Sequence, residues 1–172
     1  MYKTVIGIDP GKSNGGISVL IGNNVANYHV PATFKEMVVL FREIVEKTED
    51  QVAFLEVVNM FGVDTKQPGR LMRMMALFSN YRDLQNALTI CNIDIVPVYP
   101  NSWQSYMNLR SAKNEDSAVR KKRYKSAAQN MFPRTKVTLW NADALILVKF
   151  GVKKLANDRE WINKYLIINQ NL

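Results

Sequence analysis

The chain has 172 residues, with 23 Lys and Arg against 15 Asp and Glu and a formal net charge of +8. A hydrophobic fraction of 47% supports a sizeable core and excludes global disorder, and the length fits a single domain. One cysteine and one histidine, Cys91 and His29, exclude a Cys/His zinc site and any disulfide within the chain.

A sequence pI near 9.6 points to a polyanionic partner, either nucleic acid or an anionic membrane surface. No apolar run approaches the roughly 18 residues of a membrane span. The N-terminus reaches Asp9 too soon for a signal peptide. The expectation is a cytoplasmic protein whose polyanion is nucleic acid. The cysteine usage fits a reducing compartment.

Residues 3–8 are apolar and β-branched and run into Asp9-Pro10-Gly11, a buried strand ending in a turn. Gly15 and Gly16 open a second strand through Ile21, and Gly22-Asn23-Asn24 turns into a third over residues 25–30. Phe34, Met37, Val38, Phe41, Ile44 and Val45 recur at helical spacing, so 31–47 is an amphipathic helix. Val52–Leu55 is a short strand ending at Glu56, and 57–67 is a loop. A long helix then runs from Pro68-Gly69 to about Leu88, with Leu77, Tyr81, Leu84 and Leu88 as its stripe. Its stretch Leu71-Met72-Arg73-Met74-Met75 reads as core, with an apolar width that also suits a dimer interface. Residues 92–98 form a strand stopped by Pro100. Helices follow over 102–106, 115–131 and 139–150, and 158–168 is either a last helix or an extended tail. This order predicts an α/β domain with a mixed five-stranded sheet flanked by helices.

With so few soft ligands, hydrolytic chemistry falls to carboxylates and oxygen-ligated metal ions. A Ser-His-Asp or Cys-His mechanism would need His29, which sits in a strand-like stretch and reads as structural. Asp9 and Glu56 close two strands expected to be parallel, where open α/β sheets place their sites. Asp143 interrupts the apolar run Leu139–Leu147, where a charge is unfavourable unless paired or metal-bound. Each also has a plain reading: Asp9 as a turn residue, Glu56 as a solvated strand end, Asp143 as a helix N-terminal charge favoured by the dipole. Three acids from distant positions can together hold Mg²⁺ or Mn²⁺.

Gly7-Ile8-Asp9-Pro10-Gly11 followed by Gly15-Gly16 resembles the opening of RuvC-type Holliday junction resolvases. Phe54-Leu55-Glu56 resembles their second acidic strand, and Asn141-Ala142-Asp143-Ala144-Leu145 resembles the signature of their last catalytic helix. Length and charge resemble the phage-type branch of that family, including its lactococcal phage members. The resemblance covers about residues 3–150. It implies an RNase H-like fold, a homodimer and two-metal hydrolysis of phosphodiesters in branched DNA such as four-way junctions, forks and flaps. Asp9, Glu56 and Asp143 would then be the catalytic metal ligands, holding Mg²⁺ with Mn²⁺ as substitute, two ions per site in the sense of that mechanism.

One position departs from the family. Three residues before the last aspartate, where the family carries Asp or His, stands Trp140. Asn141 is the neighbouring candidate for a fourth ligand, although it does not share a helical face with Asp143. The fourth ligand is absent, replaced by Asn141, or supplied from elsewhere.

Residues 110–125 hold Arg110, Lys113, Arg120, Lys121, Lys122, Arg123 and Lys125 against Glu115 and Asp116, a net +5 in 16 residues. This is either a solvated face or, as the basic pI favours, a phosphate-contacting one. Lys12 is a further DNA-contact candidate, and Lys66, Arg70 and Arg73 form a second patch at the start of the long helix. The loop after Glu56 carries Met60 and Phe61, which either pack inward or wedge into an opened branch point. Trp103, Trp140 and Trp161 read as structural, and Cys91 as a buried small hydrophobe.

One alternative fails, and three rivals to a junction resolvase remain. Gly11-Lys12-Ser13 mimics a phosphate-binding loop, but the required earlier glycine is Ile6 and Pro10 removes a backbone donor. A sugar-kinase or actin-like ATPase also begins strand-Asp-x-Gly, yet needs two such domains. A non-cleaving junction-binding protein, or an RNase H-like nuclease for other substrates, keeps the same fold.

Overall fold

A computed structural model describes residues 2–11, 14–58, 69–112 and 115–168. Five strands, β1 (Thr4–Asp9), β2 (Gly16–Ile21), β3 (Asn24–His29), β4 (Gln51–Glu56) and β5 (Asp94–Val98), form one mixed sheet in the order β3-β2-β1-β4-β5. β1, β2 and β3 pair antiparallel, while β4 runs parallel to both β1 and β5. The meander needs only tight turns, and Gly22 makes the β2–β3 turn at φ +57°. The parallel pairs need helical crossovers. These are α1 (Phe34–Lys47), between β3 and β4, and α2 (Arg70–Ile90), between β4 and β5.

Strand alternation gives the sheet two different faces. Ile6, Ile8, Ile17, Val19, Ala53, Leu55 and Ile95 pack against α1 and α2. Val5, Val52, Phe54, Val96 and Val98 pack on the other side, where α5 (Ala142–Asn157) lies across β1 and β2. α3 (Pro100–Tyr106), α4 (Ser117–Met131) and α6 (Arg159–Tyr165) complete that layer.

Local chemistry sets the helix ends. Thr33 and Glu36 form a reciprocal capping box that starts α1, which buries Met37, Phe41 and Ile44. Asp116 caps α4 through the Ala118 and Val119 amides. α4 therefore starts at Ser117 and not at Glu115. α3 starts at Pro100, with proline in the first helical turn, where its missing N–H leaves nothing unsatisfied. α5 starts at Ala142 rather than Leu139, because the Asn141 side chain closes a turn over the preceding residues. Residues 158–168 combine both expectations, a short helix followed by an antiparallel bridge from Ile167 to Ile95.

The methionine-rich stretch is not core. Met72 is 69% exposed and Met75 51%, with Leu71 and Phe78 beside them. A 21-residue helix is about 31 Å long, whereas a six-residue strand spans about 20 Å. Only the second half of α2, carrying Tyr81, Leu84, Ala87 and Leu88, lies on the sheet. Its first half extends past the C-terminal strand ends, and Asn80 ties the junction by donating to the Pro10 carbonyl at 2.6 Å.

Candidate active site

Parity puts the acids together. Asp9 and Glu56 end adjacent parallel strands and, two residues on from Gly7 and Phe54, project towards the α5 layer. A Cβ on Gly7 would run into the Ala144 carbonyl oxygen and stand 2.7 Å from the Val148 nitrogen. The α5 backbone therefore rests directly on β1. Further along, a Cβ on Gly151 would meet the Phe54 ring at 2.5 Å. These two glycines fix how close α5 lies, and Asp143, in its first turn, is carried to the ends of β1 and β4.

The electrostatics show three carboxylates that resist joint ionisation. Burial raises Asp9 to about 6, against the Gly11 amide and Lys121, which favour its charge. Burial and then the Asp9 charge raise Glu56 to about 8, with a smaller push from Asp143. Burial and the Asp9 charge raise Asp143 to about 7, opposed by Arg120 and Lys121. Asp143 makes no hydrogen bond or ion pair with a described residue. The acids are near enough to disfavour each other's charge. Even so, no three His, Cys, Asp or Glu side chains among the described residues stand as a ready metal-ligand cluster. The donor set fits a hard divalent cation chemically: oxygen ligands only, with little cationic compensation. Closing around one requires side-chain adjustment.

The flanks of the cluster are occupied by residues that the sequence marked differently. Trp103, expected to be structural only, is 1% exposed and donates its indole N–H to Glu56 Oε2 at 2.7 Å. Only its placement at the start of a helix beyond β5, next to β4, could have signalled this. On the opposite flank, Asp9, Gly16 and His29 share one row across β1, β2 and β3. Trp140 fills the space above Gly16 and stacks on His29 with ring centroids 3.8 Å apart.

Asn141 is removed from the ligand set. Its Oδ1 accepts from the Thr138 N–H and hydroxyl at 2.7 and 3.0 Å, and its Nδ2 donates to the Lys136 carbonyl at 3.1 Å. The amide is committed to the turn that starts α5. Trp140 cannot ligate, so the described residues supply three carboxylates and no fourth ligand at either position.

The basic cluster divides by helical phase. Arg120 and Lys121 act on the carboxylates. Lys122 and Lys125 lie exposed, beside Ser126 and Gln129. Arg123 is not a free phosphate contact. It pairs with Glu115 at 2.8 Å and donates to the Leu109 carbonyl at 3.1 Å, which fastens the loop before α4 to the helix. Arg70 and Arg73 open α2 at the projecting end. Lys12, Phe61, Lys66 and Lys113 lie outside the described residues.

No protein-family model matches the chain, and no curated protein sequence does. Solved structures do match. Thermus thermophilus RuvC in complex with a Holliday junction substrate is similar with a TM-score of 0.57 and 12% identity, over 91% of this chain and 97% of that one. A second Thermus thermophilus RuvC structure gives 0.55 and 11%, over 89% and 95%. At such identities the likeness is one of fold, and the chain has a RuvC-like, RNase H-like fold.

Proposed function

We propose that this protein is a metal-dependent, structure-selective endonuclease that binds and nicks branched DNA such as four-way junctions. The observation that carries this reading is the convergence of Asp9, Glu56 and Asp143 at the C-terminal ends of β1 and β4 in a RuvC-like fold, with Arg120 and Lys121 beside them. The solved complex with a Holliday junction on the same fold supports the choice of substrate class.

In this reading Asp9, Glu56 and Asp143 would hold Mg²⁺, or Mn²⁺ in its place, with two ions per site by the logic of phosphodiester hydrolysis. Bound divalent ions lower the pKa of a coordinated water and offset the charge of the leaving oxygen. With a cation bound the carboxylates would be ionised, and their oxygen-only donor set suits hard cations. Arg120 and Lys121 draw a phosphate group towards it, and Lys122, Lys125, Arg70 and Arg73 extend the positive field along the DNA. The exposed apolar face of Leu71, Met72, Met75 and Phe78 supports a homodimer, which would present two such sites to one junction. We read the whole chain as one nuclease domain of the phage-type branch, working in the cytoplasm of a bacterial host.

A non-cleaving junction-binding protein is the second reading, and Trp140 with the committed Asn141 amide favours it. The deciding experiment offers a labelled four-way junction and a linear duplex with Mg²⁺, Mn²⁺ or EDTA, using Asp9→Asn as control. Nicking confined to the junction, dependent on metal and reduced at least about 100-fold by Asp9→Asn, supports the nuclease. Tight junction binding without nicking in either metal overturns it in favour of the second reading.

A further inference from the structure

We propose that Trp103 is the positioning residue for Glu56, holding one carboxylate oxygen so that the other is presented to a cation in the carboxylate cluster. This rests on the nuclease reading of the site. The indole N–H is a donor only. At 2.7 Å from Glu56 Oε2 it favours the ionised carboxylate without adding positive charge. A lysine or arginine in its place would neutralise the cluster and repel the metal that the cluster is built to take. A phenylalanine would fill much of the same space and leave Glu56 without its anchor. A neutral, buried donor is therefore the side-chain type that fixes the rotamer and preserves the negative charge.

The anchor is itself rigidly held. Trp103 sits in the first turns of α3, with its amide and that of Ser102 donating to the Tyr99 carbonyl immediately beyond β5. β5 pairs with β4 so that Val98 stands opposite Glu56, and the Val57 amide donates to the Val98 carbonyl at 2.9 Å. Behind the indole, the buried Tyr124 ring from α4 packs edge-on at 5.3 Å. Arg120 lies one helical turn before Tyr124, so α4 supplies both the wall behind Trp103 and a cation that acts on Glu56 and Asp143. The chain from β5 through α3 to Trp103 thus sets Glu56 before any metal arrives, which is how outer partners tune metal ligands.

Mn²⁺ binding by calorimetry, on wild type, Trp103→Phe and Tyr124→Phe, tests the role directly. Trp103→Phe is expected to weaken Mn²⁺ binding about 10–100-fold. Its metal-free affinity for a four-way junction should stay within about two-fold of wild type, and Tyr124→Phe should leave Mn²⁺ binding unchanged. Wild-type Mn²⁺ affinity in a folded Trp103→Phe protein overturns the proposal and leaves the nuclease reading intact. A wild-type protein that takes up no Mn²⁺ overturns that reading, and this proposal with it. Should Trp103→Phe fail to fold, a Trp140→Phe/Trp161→Phe protein, with Trp103 its sole tryptophan, gives the second measurement. Its emission should change saturably over the Mg²⁺ range that binds, and not in the same background carrying Glu56→Gln. Emission that stays constant while the cation binds refutes the contact.

Discussion

The two faces of the sheet are built from the same five strands and obey opposite rules. Towards α1 and α2 the strands present Ile6, Ile8, Ile17, Val19, Ala53 and Leu55, an apolar surface that only needs covering. Towards α5 the corresponding positions include Gly7, Asp9, Gly16, Ser18 and Glu56, where side chains are missing, polar or charged. The first face contributes stability by burying apolar area. The second gives some of that up: glycines admit a helix backbone and a tryptophan, and acids are held where their charge is disfavoured. Apolar packing and the candidate site are therefore separated by strand parity, and replacing one of the acids should differ in sign from replacing an apolar residue.

The largest stability loss is expected on the apolar face. Leu55→Ala removes a fully buried side chain and should destabilise by about 2–5 kcal/mol in urea unfolding, with metal binding retained in the folded fraction. Gly7→Ala, on the other face, forces a methyl into the α5 backbone. It should destabilise by about 1–3 kcal/mol and displace Asp143, so that metal-dependent nicking falls further than stability alone explains. Near-normal nicking by Gly7→Ala would break the claim that this glycine sets the site.

The opposite sign belongs to the acids. Asp143→Asn is expected to stabilise the metal-free protein at pH 8 by about 1–3 kcal/mol while abolishing nicking. The pH dependence follows from the same shifts. Asp9, Asp143 and Glu56 are raised from ordinary values near 4 to about 6, 7 and 8. Between those limits the folded state binds more protons than the unfolded one, so stability falls as pH rises through about 4 to 8. Thermal unfolding without metal should show this decline, and Mg²⁺ should reverse it at pH 8 by binding the folded state. A flat profile would mean that the acids are better solvated than their burial implies. The smallest effect is expected for Lys125→Ala, which should leave stability within about 0.5 kcal/mol and reduce the slope of log affinity for DNA against log salt by about 1. Arg123→Ala should instead lower stability by loosening the loop before α4, since its guanidinium holds Glu115 and the Leu109 carbonyl.

The carboxylates were legible because each stands out from an apolar neighbourhood: Asp9 and Glu56 at the ends of buried strands, Asp143 among Ala and Leu. Alternation then fixed that Asp9 and Glu56 point the same way. The basic run was legible as a cluster but not in its division of labour. Arg120 and Arg123 look alike in sequence, and only the phase of α4 against Glu115 separates a cation facing the acids from a structural clamp. In sequence Asn141 reads as a spare ligand because it neighbours Asp143, but its hydrogen bonds run backwards to 136 and 138. The methionines of α2 read as core in sequence because composition carries no information about where a long helix outruns its sheet.

By itself the sequence determined the element order, the mixed sheet and three acidic positions, since these follow from local periodicity, turn chemistry and the rarity of charge in apolar runs. Only the tertiary structure decided that Trp103 meets Glu56 across 47 residues, that Trp140 stacks on His29, and that α5 rests on Gly7. Those contacts depend on how far one element lies from another and how it is rotated. Both are set by the packing of the whole core, which no local stretch of sequence encodes.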